Sequence, residues 1–354
     1  MAGLMWSSAT SLPMKVLISS CILQLALLWS EPGVQCLPAN KTAFALLPKI
    51  NEAGPYVGLV IPNPFELDPF VAPGVFVPNA EIPFVDLAGR RFHIGSIDGQ
   101  KIIAVMCGLA MLNAGISTQQ LLDFFDISGV LHYGIAGSAS DSLNIGDVSI
   151  PKYLAHTGLW NWQRFGDNLT TPLSLESSGD YTRAFGALQV GKYNVPLTKN
   201  ADNLLHNIWF QPEEVYAVTG TPEVRAHAFF VKVDKHYYGL AEKLTAVKLQ
   251  SCSNGTCLTY PPKVVVGLRG GSQNVFVDNA AYRGFINEHF KISTVDMESA
   301  AVALVCLAND VPFIVFRSVS DLAGGSAAPN QIDTFSALAS GNAVLVLRSF
   351  IKLL

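Results

Sequence analysis

The stretch that decides the fold is Val295–Asp321, VDMESAAVALVCLANDVPFIVFRSVSD. Its first part is rich in Ala, Val and Leu and predicts a helix over 295–309. Its second part predicts a strand over 311–321 that is apolar without clean alternation, which is typical of a strand buried on both faces. Glu298 falls in the first turn of the predicted helix and Asp321 ends the predicted strand, so each element carries one acid.

Apolar strands and helices alternate on both sides of this stretch. The sequence predicts strands at 56–61, 101–108, 129–137 and 264–271, and helices at 113–125 and 333–353. Apolar strands interleaved with helices indicate the α/β class, with a mixed, mostly parallel central sheet buried on both faces. We therefore predict a three-layer α/β/α domain over 56–354. A stretch at about 196–262 has no strong period and is predicted to be an insertion.

The composition favours a globular protein whose partner is a neutral small molecule. Apolar residues make up 50% of the 354 residues and charged residues only 14%, so a large core is available. A net charge of −4 and a pI near 6.0 argue against a nucleic-acid surface and favour a neutral small molecule as partner. The His and Cys residues do not have metal-ligand spacing, so we expect no metal and no cofactor.

The N-terminus predicts targeting to the secretory route. The apolar run Val16–Trp29 is shorter than the ~20 residues of a membrane span and suits the core of a signal peptide. We predict a signal peptide over 1–36, cleaved near Cys36, and an N-terminal extension over 37–55. An uncleaved anchor is the alternative to this reading. The expected location is extracellular, in the apoplast, or vacuolar, without stable membrane insertion.

Three sequons and one cysteine pair agree with that route. Asn40, Asn168 and Asn254 each begin an Asn-X-Thr triplet, which is the acceptor for N-glycosylation. Cys252 and Cys257 flank the third triplet in a polar loop, and we expect them to form a small disulfide. Two free surface thiols are the alternative.

Three acids stand where a ligand of a parallel sheet would bind, beyond the carboxyl ends of strands. Asp321 suits a general acid, although an Asp there is also a common turn or capping residue. Glu298 suits a carboxylate that accepts from two ribose hydroxyls, although it also suits the dipole of a helix N-terminus. Glu66, after two prolines, suits a base that activates water, although a solvated loop Glu is the commoner case.

Three ordered segments carry a resemblance to a known family. They are RRFHIGSIDGQKIIAVMCGLAMLNAG (90–115), GVLHYGIAGSASDSLNIGDVSIP (129–151) and the stretch over 295–321. Together they resemble the nucleoside phosphorylase/uridine phosphorylase superfamily, and most closely its branch that cleaves methylthioadenosine and S-adenosylhomocysteine. The resemblance implies the phosphorylase/hydrolase-like form of the α/β/α fold. The signal peptide, sequons and insertion resemble the plant bark and vegetative storage proteins of the same superfamily.

The resemblance implies catalytic roles for the acids. Asp321 matches the acid that protonates N7 of a purine as the glycosidic bond breaks, and Ser320 would orient it. Glu298 matches the carboxylate that binds the sugar hydroxyls. Glu66 matches the general base of the nucleosidases.

The resemblance also implies a set of substrate-binding residues. Met297 matches the residue that packs beneath the ribose, and Phe276 matches the aromatic ring that stacks on the base. Arg317 matches an arginine of the surrounding polar network. Cys107 and Gly108 match the turn that approaches the sugar or the nucleophile, with Cys in place of the usual Ser.

One departure from the family bears on the nucleophile. Phosphorylases of this superfamily follow the first strand with Gly-Asp-Pro-x-Arg, whereas this chain has Pro-Asn-Pro-Phe-Glu over 62–66. A carboxylate repels phosphate, so hydrolysis is preferred to phosphorolysis; phosphate would require another cation such as Arg90 or Arg91. The alternative function is a storage or nucleoside-binding protein with little or no turnover. The resemblance also implies a homo-oligomer.

Overall fold

The computed structural model describes residues 41–164, 166–174, 176, 186–189, 207–217, 220–253, 255–324 and 330–354. The predicted signal peptide, Asn40 and Asn254 lie outside these ranges. The residues described from Thr42 to Leu354 belong to one compact unit.

The strands and helices alternate along the chain as the apolar pattern predicts. The strands are β1 Tyr56–Ile61, β2 Val77–Pro78, β3 Phe84–Leu87, β4 Arg90–Ile97, β5 Gln100–Met106, β6 Ile127–Ser138, β7 Val148–Ile150, β8 Tyr153–His156, β9 Trp160–Trp162, β10 Ala187–Gln189, β11 Asn207–Phe210, β12 Glu213–Val215, β13 Ala226–Ala228, β14 Phe230–Lys232, β15 Cys252–Ser253, β16 Thr256–Cys257, β17 Val264–Val266, β18 Arg269–Ser272, β19 Ile292–Asp296 and β20 Phe313–Leu322. The α-helices are α1 Lys41–Phe44, α2 Leu47–Glu52, α3 Pro64–Val71, α4 Met111–Phe124, α5 Lys235–Ala241, α6 Ala280–Phe290, α7 Ser299–Ala308 and α8 Ile332–Ile351, and a 3₁₀ helix spans Glu242–Ala246.

One sheet of 13 strands organises the chain, in the order β14-β8-β18-β19-β6-β1-β5-β4-β2 with the remaining strands paired to its sides. The pairs β5-β1, β1-β6, β6-β20, β8-β18 and β18-β19 are parallel. The pairs of β4 with β5 and of β19 with β6 are antiparallel. The sheet is therefore mixed and largely parallel, which confirms the predicted fold class.

Apolar residues on the two faces of the sheet belong to two separate cores. Along β5, Ile103 and Val105 enter one core while Ile102 and Ala104 enter the other, as the period of two in a strand requires. The first core contains buried residues of α4 and α7, and the second contains buried residues of α3, α5 and α8. Helices therefore cover both faces, and the three-layer arrangement is confirmed.

The chain around Asp296 differs from the prediction. The helix predicted over 295–309 begins only at Ser299, because Val295 and Asp296 continue β19 and pair with β18. Asp296 Oδ1 accepts from the backbone N–H groups of Glu298 (2.9 Å) and Ser299 (2.8 Å), so its carboxylate caps the helix. Glu298 therefore occupies the N-cap position rather than the first turn.

The predicted insertion at about 196–262 is not uniform in structure. In its described part, β11 pairs with β9 and β10, and β12 pairs with β13, in two small sheets. From β14 onward the chain returns to the main sheet, and Tyr237 and Leu240 of α5 pack in its core. Cys252 and Cys257 are joined by a disulfide across the β15–β16 hairpin.

The helix α8 is long and apolar enough to cross a membrane by length and composition. More than half of its most apolar window, 56%, is buried inside the protein. Leu347 and Phe350 lie in the second core beside the central strands, which is the environment of a core helix in a soluble domain.

Candidate active site

A cavity opens at the carboxyl ends of the central strands β1, β6, β19 and β20. It contains about 650 Å³ of empty space, including its open mouth. Ligands of open α/β sheets bind at this edge, because the loops that leave the strands surround a crevice there. The described lining includes Asn63, Glu66, Leu109, Val275, Phe276, Val277, Asp296, Met297, Glu298, Arg317, Ser320, Asp321 and Ile332.

Glu66 lies in a helix, not in the loop that two prolines suggested. The Asn63 side chain accepts from the Glu66 N–H, and Pro64 occupies the first helical turn, where its missing N–H costs nothing. Glu66 is 1% exposed, and its Oε1 accepts from the Ile135 N–H at 2.7 Å. Its Oε2 is buried and has no hydrogen-bond partner within the described structure. The side chain therefore has one oxygen fixed by a backbone N–H and one buried oxygen without a hydrogen-bond partner among the described residues.

Gly134 of β6 makes room for this carboxylate. A Cβ at this position would meet the Arg317 Nη1 atom and the Glu66 Oε1 atom, each at 2.4 Å. Real Cβ atoms do not approach other atoms so closely, so only glycine allows both side chains to lie against the strand.

Asp321 reaches the cavity through an irregularity in β20. The pairing with β6 shifts between Val319 and Asp321, so Ser320 has no partner in the ladder. Such a bulge bends a strand and redirects its side chains. Ser320 Oγ donates to Asp321 Oδ1 at 2.7 Å, and Asn330 Nδ2 donates to Asp321 Oδ2 at 3.0 Å. Both carboxylate oxygens are therefore held in place by neighbouring donors.

Glu298 sits between two helix N-termini. It is the N-cap residue of α7, and its Oε1 accepts from the Ala110 N–H at 2.9 Å, at the N-terminus of α4. Helix N-termini favour negative charge. The other oxygen, Oε2, accepts from Arg317 Nη2 at 3.2 Å.

Arg317 lies at the centre of a buried cluster of charges. Its guanidinium is 3.2 Å from Glu298, 3.4 Å from Asp296 and 3.9 Å from Glu66. Its remaining contacts are with the Ser299 Oγ atom, the Ile135 carbonyl and the His132 ring. One cation thus faces three carboxylates.

His132 orients this arginine. Its Nδ1 lies 2.8 Å from the Val60 carbonyl, which can only accept, so Nδ1 carries the proton and donates. Nε2 then accepts from Arg317 Nη2 at 2.5 Å. Burial and the nearby guanidinium lower the pKa of His132 to about 3, so the ring is neutral at physiological pH.

Burial acts in the same direction on the pKa of all three carboxyl groups around Arg317, but the net shifts differ. Burial raises the pKa of Glu66 to about 8, although Arg317 and the Ile135 N–H oppose the shift. Burial also raises the pKa of Glu298. Burial acts in the same direction on Asp296, but Arg317 and the hydrogen bonds to its carboxylate outweigh it, so the pKa of Asp296 is lowered. Asp296 is therefore the permanent anion, and Glu66 exchanges a proton near neutrality.

Apolar side chains form the walls of the cavity. Met297 lies between the acids Asp296 and Glu298 in the chain, and Phe276 is about half exposed at the mouth. Asn274 Oδ1 accepts from the Met111 N–H at 3.0 Å, which ties the chain before Phe276 to the N-terminus of α4.

Some of the residues suggested by the sequence lie away from the cavity. Cys107 and Gly108 are not among its described lining; Cys107 is buried, and its thiol donates to the Gly108 carbonyl. Arg90 donates to Ser117 and Asn113, and Arg91 pairs with Asp86 on the surface. Neither arginine is in the described lining.

His132 and Asn330 are among the contributors to the site that were not predicted from the sequence. His132 is a lone histidine in an otherwise apolar strand, and that isolation was a usable signal for a buried polar role. Asn330 follows a Gly- and Ala-rich stretch with no pattern of its own, so only its contacts identify it.

Comparisons with known proteins agree with this fold. Residues 56–352 match the phosphorylase superfamily. The chain belongs to the phosphorylase superfamily. Bark storage protein A of Populus deltoides is 35% identical over 281 residues, which cover 79% of this chain and 82% of that protein. A 5′-methylthioadenosine/S-adenosylhomocysteine nucleosidase of Marinomonas sp. is 25% identical over 266 residues, which cover 75% of this chain and 87% of that protein.

Solved structures of the superfamily share the architecture. The futalosine hydrolase of Helicobacter pylori has a TM-score of 0.56 at 20% identity, covering 84% of this chain and 98% of that one. The 5′-methylthioadenosine/S-adenosylhomocysteine nucleosidase of the same organism, bound to butyl-thio-DADMe-Immucillin-A, has a TM-score of 0.56 at 21% identity over the same shares. At this level of identity the likeness establishes the fold.

Proposed function

We propose that this superfamily member hydrolyses the N-glycosidic bond of purine-type nucleosides. The observation that carries the proposal is that Glu66 and Asp321 line one cavity together with Glu298 and Met297. The reaction needs a base for water, a carboxylate for the sugar hydroxyls and an acid for the leaving purine, and these groups supply one of each.

Glu66 serves as the base in this proposal. Its Oε1 is held by the Ile135 N–H, which leaves Oε2 free to accept a proton from water. A pKa of about 8 places this group near the pH at which a general base works well. The water oxygen forms a bond to C1′ of the sugar while its proton passes to Glu66.

Asp321 serves as the acid at the other end of the breaking bond. Its carboxyl group gives a proton to N7 of the purine as the C1′–N9 bond breaks and its electron pair moves into the base. Glu66 and Asp321 lie near Gly134 and Gly137 of β6, three residues or about 10 Å apart along the strand. A sugar with its base fits across this separation.

The charges around the nucleophile favour water over phosphate. Arg317 is the only cation among the described residues of the lining, and its N–H groups already donate to Ser299, Ile135, His132 and Glu298. Asp296, Glu298 and Glu66 surround it. A phosphate dianion would meet negative charge, and only one of the five N–H groups of Arg317, on Nη1 and beside Glu66, donates to none of these partners.

Turnover assays test the proposal. The purified chain is incubated with 5′-methylthioadenosine, adenosine, inosine and a cytokinin riboside, with and without phosphate, and free base and reducing sugar are measured. We expect base release that does not depend on phosphate and that Asp321→Asn lowers by about 100-fold or more. Asp333→Asn, an exposed Asp, is the matched control. A rate that requires phosphate would overturn the hydrolytic proposal.

A storage or nucleoside-binding role is the second candidate, favoured by the 35% identity to bark storage protein A. Such a protein would keep the fold with little turnover. Absence of base release from every nucleoside, with Asp321→Asn indistinguishable from the unmodified chain, would decide for storage.

We also propose that the chain follows the secretory route and is glycosylated. Asn168 is exposed, and its Oδ1 accepts from the N–H and the hydroxyl of Thr170 in a tight turn on the surface, where a glycan can be attached. Mass spectrometry of the protein from its native tissue tests Asn168, Asn40, Asn254 and the N-terminus left by cleavage near Cys36.

A further inference from the structure

We propose that Asn330 is a positioning residue for Asp321, and that Asp278 holds Asn330 in place. This inference rests on the proposed hydrolysis, because it concerns the acid of that reaction. Neither residue was singled out by its sequence pattern, and Asp278 is not in the described lining of the cavity.

The orientation of the Asn330 amide is fixed by three contacts. Its Oδ1 accepts from the Ile332 N–H at 2.9 Å, at the start of α8. Its Nδ2 is therefore the atom that faces the two acids, at 3.0 Å from Asp321 Oδ2 and 3.2 Å from Asp278 Oδ1. An amide nitrogen has two hydrogens, so it can donate to both carboxylates at once.

These contacts hold the acid from two sides. Ser320 fixes Asp321 Oδ1, and Asn330 fixes Oδ2. Each oxygen of a carboxyl group has two lone-pair directions, so after accepting from the protein each keeps one direction in which the proton that passes to N7 can be held. Because proton transfer depends on a heavy-atom distance of roughly 3 Å, loss of either holder lowers the rate.

Asp278 connects this acid to the wall that contacts the base. It directly follows Val277 and lies two residues after Phe276, both of which line the cavity. Asp278 is exposed, whereas Asp321 is buried. Asn330 therefore bridges the base-contacting segment and the acid, and sets the position of one relative to the other.

The test distinguishes the effect of the hydrogen bonds that Asn330 donates to the two acids from the effect of the bond that it accepts from Ile332. Asn330→Asp keeps an oxygen that accepts from the Ile332 N–H but replaces the donor with an oxygen that faces two carboxylates. Asn330→Ala removes all three contacts, with Ile332, Asp321 and Asp278. Gln331→Ala, an exposed neighbour, is the matched control. The kcat and KM for 5′-methylthioadenosine are measured for each, with thermal unfolding as a check of folding.

We expect Asn330→Asp to lower kcat by about 10-fold or more with a smaller change in KM, while Gln331→Ala leaves both unchanged. The ratio of the unmodified rate to the variant rate should shrink as the pH falls, because a protonated carboxyl regains an O–H donor. Asp278→Ala should lower kcat less, and Asp278→Asn less still, because its amide oxygen can accept from Asn330.

The inference is overturned if Asn330→Asp and Asn330→Ala keep the kcat of a clearly active unmodified chain. It is also overturned if Asn330→Asp loses activity by the same factor at every pH, since a structural contact alone would give that result. If the unmodified chain releases no base from any nucleoside, the proposed function itself fails, and the inference fails with it.

Discussion

A single guanidinium organises the acids of this site. Arg317 is 1% exposed, so its positive charge is stabilised by the nearby carboxylates and hardly at all by solvent. The same guanidinium stabilises the charges of Asp296, Glu298 and Glu66. Removing one partner of a buried ion pair leaves the others as uncompensated charges, which costs more than the pair itself contributes.

We therefore expect Arg317→Met to lower the free energy of unfolding by about 3–5 kcal/mol. Part of the loss should be recovered at acidic pH, where the carboxyl groups can become neutral. Urea unfolding at several pH values measures both effects. Arg91→Met removes an exposed ion pair with Asp86 and should have a much smaller effect on the free energy of unfolding. Equal losses for the two variants would contradict the buried cluster.

Glu66→Gln should slow catalysis strongly while the fold is kept, because the amide oxygen can still accept from the Ile135 N–H. We expect a loss in kcat of about 100-fold or more, and in the unmodified chain kcat/KM should rise with pH up to about 8. Asp68→Asn, an exposed change in the same helix, is the control and should leave the rate unchanged.

Stability gives a second measurement on the same residue. Folding raises the pKa of Glu66 from 4.5 to about 8, so the folded chain holds a proton there that the unfolded chain releases. The contribution of this bound proton to the free energy of unfolding is fully present below pH 4.5. It is lost as the pH rises to about 8, by up to about 1.4 kcal/mol per pH unit. Glu66→Gln should remove that slope, and an unchanged slope would show that the burial of Glu66 is not its cause.

For single residues, the sequence predicted which acids belong to the site better than it predicted which residues they contact. Asp321, Glu298 and Glu66 stand at the ends of recognisable elements, and the structure brings all three to one cavity. Their partners depend on distant segments. Asn330 donates a hydrogen bond to Asp321, and the sequence between the two residues has no periodic pattern. No local signal in the sequence therefore predicts this contact.

At the level of elements, the site is built from irregular ends of regular structure. The bulge at Ser320 redirects the end of β20, and the helix α4 begins after Ala110, whose φ is +78° and ψ is 168°. Non-glycine residues rarely adopt this conformation, which costs of order 1–3 kcal/mol. The residue with this strained conformation is the one whose N–H donates to Glu298.

We therefore predict that Ala110→Gly raises the free energy of unfolding by about 1 kcal/mol, because glycine adopts this conformation freely. Ala114→Gly, one turn further inside the same helix, should instead lower it by about 1 kcal/mol. Chemical denaturation of both variants measures the difference. A destabilised Ala110→Gly variant would mean that the Ala110 conformation is not strained.

Element type was predictable, and element ends were not. The strand β1 and the helix α8 were predicted almost to the residue, because each has a long and uniform apolar pattern. The helix predicted from Val295 begins four residues later, because pairing with β18 outweighs the helical preference of this segment. Tertiary pairing of this kind cannot be recognised in a local window.

At the level of the whole molecule, two cores lie on opposite faces of one sheet, and the chain after β14 closes over the second of them. The loop beside the disulfide hairpin is fixed to α8: Gln250 donates its N–H to Asn342 Oδ1, and Asn342 Nδ2 donates to the Gln250 carbonyl. The mixed, largely parallel sheet was predictable because buried strands read as continuous apolar runs. The return of the chain to the main sheet at β14 was not predictable, because the three residues of this strand are too few to show a pattern.

We expect the Cys252→Ser, Cys257→Ser double variant to lower the free energy of unfolding by about 2 kcal/mol, because the crosslink restricts the unfolded chain. Base release should be unaffected, since neither cysteine is in the described lining of the cavity. Denaturation of the unmodified chain with and without reductant should reproduce the difference. A loss of activity in the double variant at a temperature where it is folded would connect the hairpin to the site.

The space at Gly134 also offers a diagnostic for other chains of this fold. A methyl group at that point of β6 would come within 2.4 Å of both Glu66 Oε1 and Arg317 Nη1, so a larger residue there would have to displace these side chains. A residue larger than glycine at the equivalent position of a related chain therefore predicts that the buried charges of that chain are arranged differently.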